Sequence, residues 1–375
     1  MFPNNMHTEK MKSLFLVKSP LQLLNAVEAR HHFSLKKEEC VLVVMSDRKN
    51  YPQMIKLINE QQQWCDVIVL DKVSVFIRRD NISKYNKIHS ANMPFSEIQK
   101  SSFFALIKLI KLAKIYKDVN YLFVGDSHNA VIRGFINKST PKKTVLLDDG
   151  VGAIYMAGIR KQRHKDVPNI KLKKKIKIWL KRFFQGLDDR QSDSVCFFSA
   201  YNLDVADRDD LVLNEYHYLR SKIDALKSTD YVLFLGSPLS EVGLMSESDY
   251  IRQLKMVCKD YEGTKIIYVS HRRENKQKLD LINIIENIEV VSFDYPIEYQ
   301  LTVYGPLPKS VISFVTSALE NLRLIMGNKL EIVSYKLVKG SYKDSDRIDD
   351  IYDYFQKNTS PCFSVRSLGV RNDNL

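Results

Sequence analysis

Asp148-Asp149-Gly150 follows directly on the apolar run Thr144-Val-Leu-Leu147 and is the sharpest chemical signal in the chain. A carboxylate pair at the carboxyl end of a buried strand lies where open α/β sheets bind ligands, and the glycine permits a tight turn. Mutual repulsion and partial burial raise the proton affinity of one carboxylate, which suits it to accept a proton near neutral pH. Asp-Asp-Gly is also the composition of a turn or helix cap, and that alternative stays open.

A second signal lies far along the chain, in Tyr268-Val-Ser-His271-Arg-Arg-Glu274. His271, flanked by Arg272 and Arg273, could give a departing phosphate a proton or a hydrogen bond; taken singly it would more often be a surface histidine. Glu298 follows in Asp294-Tyr-Pro-Ile-Glu298, where a carboxylate can bind a ribose diol. Thr316-Ser317 stand between the run Val311 to Val315 and residues of helical spacing, so they offer a phosphate cradle at a helix N-terminus or a plain cap. Gly236-Ser237-Pro238 repeats the arrangement after Tyr231 to Leu235. Each feature is weak alone, but their recurrence at successive strand ends points to nucleotide chemistry.

Positioning such groups requires a regular frame, and the chain supplies one. Leu14 to Val17 reads as a buried strand, and Ser19-Pro20 as an N-cap with proline in the first turn of a helix reaching about His32. Cys40 to Met45 and Val67 to Leu70 read as strands around a helix at Met54 to Gln62. A long helix from Phe103 to Tyr116, a strand at Tyr121 to Val124, a helix at Asn129 to Asn137 and a strand at Thr144 to Leu147 continue the beat. A fresh series begins at Tyr231 to Leu235 and runs through a helix at Ser248 to Asp260, strands at Ile266 to Val269, Val290 to Phe293 and Ser310 to Phe314, and a helix after Thr316. This alternation predicts an α/β protein with parallel layering. The expected architecture is the GT-B plan, two Rossmann-like domains facing across a deep cleft. The expected boundaries are 1–225 with a basic insertion at about 160–185, then 226–345, then a C-terminal helix and tail over 346–375.

With these residues in place, the chain resembles the bacterial sialyltransferases that share a D/E-D/E-G motif, an HP motif and a following Ser/Thr motif. The capsule polysialyltransferase branch is the most similar. The resemblance runs from Leu14-Phe-Leu-Val-Lys-Ser-Pro-Leu-Gln22 through Leu147-Asp-Asp-Gly150 and Phe234-Leu-Gly-Ser-Pro238 to Ser317. It implies a donor, CMP-sialic acid, and an anionic polysialic acid acceptor chain. It implies Asp148, with Asp149 beside it, as general base, and His271 as the acid that binds the CMP phosphate. Glu298 would be a ribose ligand, Thr316 and Ser317 phosphate ligands, and Gly236, Ser237 and Arg272 further donor contacts. Lys18 and Gln22 would face the acceptor. The family's His-Pro dipeptide is His271-Arg272 here, which offers an extra cation to an anionic substrate. Transfer from an already activated donor needs a base on one face and phosphate donors on the other, giving inversion. No cofactor or metal is expected: Asp344-Ser-Asp346 has the spacing of a metal-binding DxD but precedes a terminal helix and reads as a cap.

Composition sets the outer bounds. At 375 residues, 45% hydrophobic and 27% charged, the chain is that of a folded protein of about two domains. Its five cysteines are odd in number and widely spaced, which fits buried thiols in a reducing compartment better than a disulfide frame or zinc site. The first residues lack the layout of a signal peptide, and no apolar run approaches the roughly 18 residues of a membrane span. A bacterial cytoplasmic location is therefore expected.

The net charge of +13 is concentrated: Arg160 to Arg182 hold eleven Lys or Arg against one acid, Asp166. Leu172, Ile176, Trp179, Leu180 and Phe183 recur at helical spacing, the mark of a basic amphipathic helix. It could attach to the inner face of the cytoplasmic membrane, or its Lys173, Lys174 and Lys175 could line a groove for a polyanionic acceptor; a solvated helix is the plain alternative. Capsule assembly proteins are the expected protein partners. A nucleic-acid-binding module would use the same cations but leaves Asp148-Asp149 unexplained, so no nucleic acid partner is expected. The alternative within enzymes is transfer of a single sialic acid or related nonulosonic acid to a surface glycan.

Overall fold

The computed structural model describes residues 13–45, 50–70, 107–148, 150, 152–162, 188, 190–223, 227–343 and 345–368. The chain divides into two compact units, Met1–Asn214 and Glu215–Leu375.

In the first unit the strands are β1 (Ser13–Val17), β2 (Cys40–Val44), β3 (Asp66–Val69), β4 (Tyr121–Val124), β5 (Lys143–Leu147), β6 (Cys196–Ser199) and β7 (Asp210–Leu213). They form one parallel sheet in the order β3-β2-β1-β4-β5-β6-β7. Both β1 and β2 are buried along their whole length, as the unbroken apolar runs require of a sheet covered on both faces. Phe15 of β1 stacks on Phe123 of β4 at 4.2 Å between ring centroids, so the centre of the core lies where the strand order reverses. Helix α1 (Pro20–His32) starts there: the Ser19 hydroxyl accepts the Gln22 amide at 3.2 Å, and proline in the first turn gives up no needed donor. The remaining helices with defined ends are α2 (Tyr51–Gln61), α3 (Ala130–Ser139) and α4 (Gly152–Gln162). Residues 107–115 are helical, the latter part of the expected long helix.

The second unit repeats the form with β8 (Val232–Leu235), β9 (Ile266–Val269), β10 (Ile288–Val291), β11 (Ser310–Ser313), β12 (Glu331–Lys336) and β13 (Phe363–Ser367). Its sheet is parallel in the order β10-β9-β8-β11-β12-β13. Helices α5 (Glu247–Lys259), α6 (Lys276–Asn283), α7 (Ser317–Met326) and α8 (Ser345–Lys357) connect the strands. Four strands go beyond the sequence reading: β6 and β7 widen the first sheet, and β12 and β13 widen the second, β12 pairing with β11 and β13 with β12 from Ile332↔Phe363 to Lys336↔Ser367. Strand β10 starts and ends two residues before the expected Val290 to Phe293. The five cysteines are free.

Candidate active site

Asp148 is the first residue past β5 and is 3% exposed. Its Oδ2 accepts the Ala200 amide at 2.6 Å, from the loop after β6. Its main-chain carbonyl accepts Asn25 Nδ2 at 3.2 Å, and Asn25 Oδ1 accepts Asn214 Nδ2 at 3.1 Å. Each of these partners is a neutral amide, so the carboxylate is aimed without a fixed counter-charge in those bonds. Gly150 has φ +68°, in the left-handed region that favours glycine, as the expected tight turn requires. Asp149 lies outside the described residues.

At the same edge of the first sheet, the Lys18 ammonium reaches Asp126 at 2.5 Å, joining the loops after β1 and β4. Gln22 is buried, and its Oε1 accepts the Lys18 amide at 2.7 Å. The loop after β4 comes so near that a Cβ on Gly125 would stand 2.1 Å from Gln22 Cδ. Lys18, Gln22 and Asp148 thus share the carboxyl edge. Lys173, Lys174 and Lys175, with the rest of the basic helix, lie outside the described residues.

His271 occupies the corresponding edge of the second sheet, two residues past β9. Burial, aided by Arg272 and Arg273, lowers its imidazole to about 4. Nδ1 accepts the Arg273 amide at 3.2 Å, so the neutral ring carries its proton on Nε2. Beneath this loop is a buried charged network that sequence reasoning missed. The Glu274 carboxylate accepts the His271 amide at 2.7 Å and the Tyr268 hydroxyl at 2.6 Å, and pairs with Lys278 at 2.8 Å. Burial raises the Glu274 carboxyl above its usual range even with Lys278 beside it. Lys278 is fully buried, donates to the Ser237 carbonyl at 3.0 Å and lies 3.6 Å above the Tyr250 ring centroid. The available signal was Glu274-x-x-x-Lys278 astride the Asn275 cap of α6, which looks like a solvated helical pair.

The other expected donor ligands line the same edge. Gly236 leaves no room for a side chain, since a Cβ there would meet Glu274 Oε2 at 2.4 Å. Ser237 is buried and its amide donates to Tyr250 Oη at 3.2 Å, so its main chain is turned inward. Thr316 caps α7, its hydroxyl accepting the Ala318 amide at 3.3 Å, and Ser317 opens the helix. Glu298 is buried and its Oε1 accepts Asn321 Nδ2 at 2.9 Å, from the second turn of α7. Burial raises its carboxyl above the usual range; Asn321 and Arg272 oppose the shift. Arg272 is exposed. Among the described residues, no group of three His, Cys, Asp or Glu is placed to hold a metal ion. No described helix is long and apolar enough to cross a membrane.

The model of the alpha-2,8-polysialyltransferase family matches residues 13–335. The chain belongs to that family. Every site residue named above, from Lys18 to Ser317, falls within the matched span. The chain is also similar to solved structures of remote sequence. A candidate UDP-N-acetylglucosamine 2-epimerase from Listeria monocytogenes is 9% identical, with 91% of this chain and 82% of that one covered and a TM-score of 0.52. Spinosyn forosaminyltransferase SpnP is 12% identical over 96% of this chain and 87% of its own, with a TM-score of 0.49. The heptosyltransferase WaaC from E. coli is 10% identical over 93% and 100%, with a TM-score of 0.40. No curated protein matches the chain. Membership in the family makes the chain a glycosyltransferase of the sialyltransferase type, and its two parallel sheets have the α/β fold of the GT-B class.

Proposed function

We propose that the protein transfers sialic acid from CMP-sialic acid to the end of a polysialic acid chain, with inversion and without a metal ion, in capsule synthesis. In this reading Asp148 accepts the proton of the attacking hydroxyl. Burial and the Ala200 amide hold its carboxylate in one orientation, which general base catalysis requires.

The observation that carries the reading is the His271 ring, neutral, with Nδ1 occupied and the proton left on Nε2. Departing CMP is a phosphate monoester whose second pKa is about 6, so near neutral pH it leaves mostly as a dianion. It needs hydrogen-bond donors more than it needs a proton. His271 Nε2–H, the Thr316 and Ser317 hydroxyls at the start of α7, and the Arg272 guanidinium supply them. The phosphate's own charge raises the proton affinity of the ring once it is bound, strengthening the contact. Glu298 turns toward the ribose, and Gly236 with Ser237 forms the floor of the donor loop.

Lys18 and Gln22 serve the acceptor in this scheme. The basic segment at about 160–185 supports, by charge alone, capture of a polyanion and attachment to an anionic leaflet. The test is incubation with CMP-sialic acid and a fluorescent sialic acid oligomer in the presence of EDTA, read by product length. A ladder of longer products with α-linked new residues is expected. A single added residue would replace polymer synthesis by single transfer, and no release of CMP would overturn the donor.

A further inference from the structure

Two loops of the second sheet meet over one ion pair. From the loop after β9, the His271 amide donates to Glu274 Oε2 at 2.7 Å; from the loop after β8, the Ser237 carbonyl accepts Lys278 Nζ at 3.0 Å. Glu274 and Lys278 are themselves joined at 2.8 Å, with both side chains fully buried. Tyr268 and Tyr250 close the lattice, since Tyr268 Oη donates to Glu274 Oε1 at 2.6 Å and lies 2.8 Å from Tyr250 Oη, which accepts the Ser237 amide. Glu241 adds a second carboxylate, 3.4 Å from Lys278 Nζ and accepting the Asn275 amide at 3.0 Å. Gly236 is the one residue type that lets the β8 loop pass Glu274 so closely.

Stability alone is a poor account of this cluster. Two charges taken wholly out of water are often matched or bettered by apolar side chains of the same volume, whereas neutral side chains could not hold both loop main chains by charge-assisted bonds. We propose that Glu274 and Lys278 are positioning residues for the donor: acting through the main chain of two loops, they fix the His271 ring and the Ser237 turn relative to one another before the nucleotide arrives. The role rests on His271 being the phosphate-facing group proposed above. Neither side chain touches the donor. Their action is to spare the site the reorganisation that a misplaced ring would require.

The test compares Glu274→Gln, the double variant Glu274→Gln with Lys278→Met, and His271→Ala. Each is read by steady-state kinetics with the two substrates varied separately, and by imidazole ¹⁵N spectra in which His271→Ala identifies the His271 signals. The double variant removes both charges of the fully buried pair and leaves the partly exposed Glu241 its Asn275 bonds, so it is expected to fold even if Glu274→Gln, which leaves Lys278 only the more distant Glu241, does not. The positioning role predicts that KM for CMP-sialic acid rises on the order of 10- to 100-fold while KM for the oligomer is unchanged. It also predicts that the His271 signals move from the Nε2–H form toward a mixture of tautomers. A folded double variant with wild-type donor KM and an unmoved His271 signal overturns it. If His271→Ala itself leaves donor KM and turnover unchanged, the phosphate-facing assignment fails instead, and that outcome is distinguishable from failure of the ion pair.

Discussion

The two sheets carry their candidate groups at the same edge but support them by opposite means. Asp148 is held by the Ala200 amide and, through its main chain, by Asn25, which Asn214 holds in turn. His271 sits over Glu274, Lys278 and Glu241. The first unit has a buried ion pair as well, Arg160 with Asp209 at 2.6 Å, but places it at the amino end of the sheet, where Asp209 also accepts the Val195 amide before β6. At Asp148's own edge the Lys18–Asp126 pair is a quarter exposed, where solvent weakens it. The amide of Ala200 aims the Asp148 carboxylate by a neutral dipole. The His271 loop is instead held by a charged floor, the Glu274 carboxylate and its Lys278 partner.

The comparison can be broken first at the buried pair of the first unit. Arg160→Ala leaves Asp209 buried and uncompensated, and is expected to lower unfolding stability by about 3–5 kcal/mol in denaturant titration. A loss under about 1 kcal/mol, the range of exposed pairs, would remove the distinction between this pair and Lys18–Asp126.

A smaller effect separates the two close glycines. Gly236→Ala drives a methyl against Glu274 and Tyr268, and Gly125→Ala drives one against Gln22. Each is expected to lose about 1–3 kcal/mol in the same titration. Only Gly236→Ala should also raise the KM for CMP-sialic acid, since it alone displaces the charged floor. Equal kinetic effects of the two would argue that neither floor is specific to the donor.

The smallest effect concerns Glu298, whose carboxyl is raised above its usual range by burial. A raised folded value means stability present at low pH is lost as pH rises through it; a glutamine does not titrate and keeps Asn321 as a partner. Glu298→Gln should therefore gain on the wild type in melting temperature as pH rises from the ordinary glutamate range through the raised folded value. A gap that is flat or moves the other way would place the carboxylate's folded value at or below normal.

Much of this frame was legible from sequence because its determinants are local. Ser19-Pro20, the unbroken runs of β1 and β2, and glycine after Asp148-Asp149 each specify their conformation within a few residues. Four strands were not: β7 holds only the short run Leu211-Val-Leu213 and is half exposed, β13, Phe363-Ser-Val-Arg-Ser367, has only its first residue buried, β6 is four residues long, and β12 mixes Glu331, Ser334 and Lys336 among its apolar residues. The charged floor was hidden for a different reason. Lys278 has the spacing of a solvated partner for Glu274, and what buries it is contact with Tyr250 and Ser237, from segments some 28 and 41 residues away.

The central claim is a division of labour, with proton acceptance in the first unit and donor capture in the second. It is tested most directly by calorimetric titration of CMP into the wild type, Asp148→Asn and His271→Ala, alongside turnover of each. Both variants should lose turnover by at least ~100-fold. Asp148→Asn should bind CMP as the wild type does, while His271→Ala binds at least ~10-fold more weakly, the worth of one lost hydrogen bond to a charged group. Weakened binding by Asp148→Asn together with unaltered binding by His271→Ala would contradict the account.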